Sequence, residues 1–135
     1  MASQIDVRST IDRGIPVLTI RYGAGEMFRP ESAKELTTQM VKGYEDRLKE
    51  EPENRSCIAV IESETAGSPL DRALFELYKR VVSEKQQLLC VNYPADYIHS
   101  LTSLGLPNLK GFGLKSSKEA AIKELLSEER RAETA

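Results

Sequence analysis

The chain has 135 residues, 40% of them hydrophobic and 30% charged, with a net charge of −2. This is the make-up of one soluble domain with one core, over residues 1–135, and not of a disordered or fibrous chain. Lys and Arg are interspersed with Asp and Glu, so no basic surplus points to nucleic acid. No run approaches the roughly 18 apolar residues of a membrane span, which argues against direct membrane insertion and for a cytoplasmic protein.

Ile5, Val7, Ser9 and Ile11 alternate with polar residues, and Val17 to Tyr22 follow Asp12-Arg13-Gly14, a pattern that predicts an opening β-hairpin. Gly23-Ala24-Gly25 breaks the second strand. After Pro30, the positions Ala33, Leu36, Met40, Val41, Tyr44 and Leu48 carry a helical period that the polar cluster with Pro52 ends. Cys57 to Ile61 is a continuous apolar run, as in a strand buried on both faces. Leu70, Ala73, Leu74, Leu77 and Val81 predict a second helix, begun by Ser68-Pro69 and finished near Lys85. Leu88 to Val91 is another buried strand. Asp96 to Leu104 reads as a shorter helix with Ile98, Leu101 and Leu104 inward, stopped by Gly105 and Pro107.

A weak strand at Phe112 to Leu114 precedes a last helix capped by Ser116 or Ser117, with Ala121, Ile122, Leu125 and Leu126 as its apolar stripe. The ordered core should span about residues 5–126, with 127–135 a fraying helix end. Two opening strands followed by strand–helix alternation give an α/β domain: a mixed sheet of four to five strands with an N-terminal hairpin, and about four helices packed against it.

Chemistry-bearing residues are sparse. Cys57 and Cys90 lie in apolar runs without redox or zinc spacing, and read as reduced, buried core residues. A catalytic reading would rest on Glu62, Glu64 and His99. No nucleophile–base pair, metal cluster or phosphate loop accompanies them, so no enzyme activity, cofactor or metal is expected. Glu62 and Glu64 read as solvated loop charges and His99 as a surface or rim residue. Gly111-Phe112-Gly113 reads as an edge-strand device in which an exposed Phe112 would add to an interface. Ser68-Pro69-Leu70-Asp71 fits a capping box, with Ser68 as the cap and Asp71 reaching back.

The element order resembles the STAS family, named for sulfate transporters and anti-sigma-factor antagonists. The stretch Leu74-Phe75-Glu76-Leu77-Tyr78-Lys79-Arg80-Val81, then Gln87-Leu88-Leu89-Cys90-Val91-Asn92, is similar to that family's second helix and fourth strand. Gly25-Glu26-Met27-Phe28 is similar to its Gly-Glu-Leu-Asp turn, with Phe28 for the acid, and Leu104-Gly105-Leu106-Pro107-Asn108-Leu109 to its Leu-x-Gly-Leu-x-x-Leu/Phe stretch. The resemblance implies a regulatory module that binds other proteins, with an anti-sigma factor or serine kinase as the partner.

It also implies phosphorylation at the serine before the second helix, which falls on Ser68, with Thr65 as the second candidate. The binding surface it implies is the loop with Glu64, Thr65, Gly67, Ser68 and Pro69 and the exposed side of the second helix with Asp71, Arg72, Phe75 and Lys79. Gly67 stands where an acid precedes the family's serine, and Pro69 and Leu70 replace small residues. These departures imply the alternative: an unphosphorylated scaffold, or an accessory subunit of a larger signalling or transporter complex. Homo-oligomerisation stays open.

Overall fold

The computed structural model describes residues 4–50, 56–81 and 86–134, the side chains of 107 and 128–134 excepted. Strand β1 (Ile5–Asp12) turns into β2 (Ile15–Tyr22) through Arg13 and Gly14, both with positive φ (53° and 81°). Two left-handed residues in a two-residue turn match the twist of the flanking strands, and Gly14 meets that demand without steric cost. Helix α1 (Glu31–Glu50) leads to β3 (Cys57–Ile61), α2 (Ser68–Val81) and β4 (Leu88–Val91). A 3-10 turn (Ala95–Tyr97), the short α3 (Ile98–Ser103), β5 (Phe112–Lys115) and α4 (Lys118–Thr134) complete the order.

The five strands form one sheet in the order β1-β2-β3-β4-β5, antiparallel at β1–β2 and parallel thereafter. The mixed sheet with an N-terminal hairpin and four helices is the architecture the residue pattern predicts. Its two faces carry unequal cores. Against α1 and α2 lie Leu18, Ile20, Leu36, Met40, Tyr44, Leu74 and Leu77, with Leu101 and Leu106 closing one end. Among the described residues, the smaller core with α4 holds Ile15, Val17, Ile58, Leu89, Val91, Ala121, Ile122 and Leu125, with Val60 and Leu126 packed against it. Ile58, Leu89 and Val91 are buried and Val60 is half-buried.

Cys57 and Cys90 are both buried, and Cys90 pairs in register with Ala59 rather than with Cys57. Burial raises both thiols, Cys90 to about 12 with the charge of Asp71 adding to the effect.

Two expectations change. Ile98 and Leu104 are 41% and 43% exposed, because the segment opens as a 3-10 turn that rotates its apolar stripe, so Leu101 faces the core and Leu106 beyond Gly105 fills in beside it. Phe112 is buried, its ring edge-on to Tyr78 at 6.4 Å, and is no interface residue. Helix α4 is helical through its Glu-, Arg- and Ala-rich end to Thr134, in keeping with the high helix propensity of those residues. The expected ends of the first two helices, at Pro52 and Lys85, fall outside the described residues.

Candidate functional site

The parallel strands β2, β3 and β4 all end at one edge, where the loops after them meet. In open α/β sheets this edge collects binding sites. Ser63 extends the sheet there: its hydroxyl accepts from Tyr22 N–H at 3.0 Å and donates to Tyr22 C=O at 2.9 Å. The Tyr22 hydroxyl donates to the Thr65 carbonyl at 2.5 Å, tying down the loop that precedes α2. Burial raises the Tyr22 hydroxyl, with the charges of Cys90 and Asp71 contributing, so it stays a neutral donor.

The first helical bond of α2 runs from Asp71 N–H to Gly67 C=O at 3.0 Å, so the N-cap is Gly67 and Ser68 is the first helical residue. The capping box predicted one residue later is not formed. Ser68 is exposed, and among the described residues none gives its side chain a hydrogen bond. The Gly67 Cα lies against Met27, and an added Cβ would stand 3.4 Å from the Met27 Cβ. Pro69 falls in the first turn, where a missing N–H leaves no helical bond unmade.

Asp71 faces inward and is fully buried, so it is not part of the exposed side of α2. Its carboxylate accepts from the Tyr93 hydroxyl at 2.5 Å and the Ser100 hydroxyl at 2.6 Å, joining α2 to the end of β4 and to α3. Burial raises the Asp71 pKa against the opposing pull of those two bonds, and burial together with Asp71 raises that of Tyr93. Glu26, also buried, does the opposite. It accepts from Ser32 Oγ at 2.6 Å, from Gln4 N–H at 3.1 Å and from Arg29 at 3.2 Å, and these partners hold its carboxyl below the usual range. Glu26 thereby pins the start of β1 and the start of α1 to the 3-10 turn Ala24–Phe28.

That turn presents Phe28, which is 87% exposed. A groove of about 220 Å³ runs between Met27, Phe28, Arg29 and Pro30 on one wall and Ser68, Pro69 and Arg72 on the other. Ser68 and Arg72 are exposed, Pro69 is buried, and Glu64 is exposed with Thr65 half-buried in the loop above. Further along the same stripe of α2, the Phe75 ring stacks on Tyr78 at 6.4 Å and lies 5.3 Å from Lys79 Nζ. Phe28 is the surface residue left out of the binding surface expected from the sequence; a large apolar side chain where the resembled turn carries an acid was its signal. Glu62 is a solvated ion-pair partner of Arg21 at 2.8 Å, and His99 is exposed at the rim of α3.

Among the described residues, no group of three His, Cys, Asp or Glu is placed to hold a metal ion, and no helix is long and apolar enough to cross a membrane. Compared with known proteins, the chain matches no protein-family model, and no curated protein is significantly similar to it.

Proposed function

We propose that this protein is a STAS-like regulatory module, without catalytic activity, that binds another protein through the edge where Phe28 and the Ser68 turn meet. The observation that carries the reading is Phe28, a large apolar ring left in solvent beside an exposed serine at a helix start. Buried aromatic anchors dominate protein interfaces, and a ring already outside the core is available for one. The partner is an anti-sigma factor or serine kinase of the kind the resemblance implies. A phosphate on Ser68 would place about two negative charges in the groove and change what the surface accepts. The second reading, a scaffold without phosphorylation, is favoured by Gly67, which fills the N-cap position where the family's turn carries an acid.

The test compares capture of binding partners from native lysate by the wild-type protein and by Phe28→Asp, Ser68→Asp, Ser68→Asn and the remote Lys123→Asp, with mass spectrometry of partners and of Ser68. The interaction reading expects a partner lost with Phe28→Asp and kept with Lys123→Asp. Loss with Ser68→Asp but not Ser68→Asn supports the switch. Equal capture by both Ser68 variants, with no phosphate on native protein, leaves the scaffold. Retention by Phe28→Asp rejects this surface.

A further inference from the structure

The sheet has two edges, and they differ. Strand β5 has four residues and contains Gly113. Strand β1 has eight, longer than the usual 5–6 or so, contains no proline, and pairs with β2 one residue to one without a bulge. Among the described residues, no element lies beyond it in the sheet. Long, regular, open edges are the form that recruits another strand, and proteins usually blunt them by shortening, bulging, proline or charged side chains. β1 is neither short, bulged nor interrupted by proline, and its exposed charges Asp6 and Arg8 are of opposite sign.

The hydrogen-bond phase fixes which groups face outward. Gly23 N–H donates to Gln4 C=O, so Gln4 and every second residue after it, including Asp6 and Arg8, turn their backbone groups toward β2. Ile20 C=O and both backbone groups of Tyr22 bond on the β3 side, so their partners Val7 and Ile5 turn theirs to the open edge. The side chains alternate as well. Ile5, Val7 and Ser9 are half-buried beneath α1, whereas Asp6, Arg8 and Thr10 are exposed on the opposite face.

We propose that β1 is a self-recognition strand, on which a second copy of this chain docks edge to edge, antiparallel, across a two-fold axis through Val7. This is independent of the partner reading above. With Val7 opposite Val7 of the second copy, Ile5 lies opposite Ser9, and these outward-facing residues exchange both backbone bonds. Asp6 then lies opposite Arg8 on each side of the axis, in the non-hydrogen-bonded pairs whose side chains stand closest. The intrachain contact of Arg8 with Asp6 at 3.1 Å becomes part of an alternating group of four charges. Shifting the register by two in either direction sets Asp6 against Asp6 or Arg8 against Arg8, so the charges select the register centred on Val7. Helix α1 lies over β1 and β2, which puts the two copies of α1 about 10 Å apart across the axis, a normal helix-packing distance. An isologous two-fold contact closes on itself and so forms a dimer and not a fibre.

The experiment is sedimentation equilibrium of the intact chain and of Asp6→Arg, Arg8→Asp and the double variant D6R/R8D, with circular dichroism to check folding. Both positions are exposed, so the substitutions spare the core. The wild-type protein should dimerise reversibly, and each single variant should raise the dissociation constant at least about tenfold, by setting like charges opposite one another. The double variant should dimerise again. The two single variants mixed in equal amounts should form a heterodimer, since one then carries two arginines where the other carries two aspartates. A wild-type chain that stays monomeric at about 1 mM overturns the proposal. So does a dimer that both single variants form as well as the wild type.

Discussion

Glu26 and Asp71 are carboxylates buried at the same end of the sheet, and the partners of both favour the ionised form, yet the two shift in opposite directions. Glu26 is met by a backbone N–H, a hydroxyl and the guanidinium of Arg29, and its ionised form is favoured. Asp71 is met by two hydroxyls only, and burial outweighs them. The comparison teaches that depth alone does not decide the charge state of a buried acid; the count and charge of its donors do.

The largest effect should come from removing the better-served acid. Glu26→Ala strips the acceptor from three donors and should lower stability by about 3 kcal/mol in urea unfolding at neutral pH. Because the folded Glu26 pKa lies below its unfolded value, this stability is present above the unfolded pKa and disappears as pH falls through the folded one. Glu26→Gln should therefore differ most from wild type near neutrality and converge with it in acid.

Asp71→Ala should cost about 2 kcal/mol, the penalty of leaving the Tyr93 and Ser100 hydroxyls without their acceptor. Here the sign reverses. The folded pKa is raised, so ionising Asp71 costs stability as pH rises from its unfolded value through the folded one, and Asp71→Asn should remove that decline. A pH–stability curve of Asp71→Asn parallel to the wild-type curve would break the comparison.

Arg29→Ala should cost about 1 kcal/mol, since Arg29 is half in solvent, and should shift the titration of Glu26 upward, as read by carboxyl NMR. The same rule carries over to hydroxyls. Ser117 Oγ accepts from Ala120 N–H at 3.1 Å as the N-cap of α4, so Ser117→Ala should cost about 1 kcal/mol. Ser68 holds no such bond, and Ser68→Ala should stay within about 0.5 kcal/mol in thermal melts.

The fold was legible where side-chain periodicity is local. Ile5, Val7 and Ile11 marked a half-buried strand, Cys57 to Ile61 a fully buried one, and Leu36, Met40 and Tyr44 a helix face, because each pattern is set within a few residues. The Ser68 turn was found as a place, but its cap was assigned one residue late, since the bond from Asp71 N–H to Gly67 C=O depends on backbone geometry and not on which residue is the better cap. The inward turn of Asp71 was hidden for another reason. Its partners Tyr93 and Ser100 come from other elements, 22 and 29 residues away, and no local pattern marks such a pairing. The exposure of Phe28 was equally silent, because it shows only in what fails to cover the ring.

Strand order in the sheet equals strand order in the chain. A chain made from its N-terminus can therefore lay down the hairpin first and add each later strand to the edge just completed, with no strand inserted between two already paired. Growth proceeds in one direction only, away from β1. The edge laid down first is thus one that no later strand of the described sheet covers.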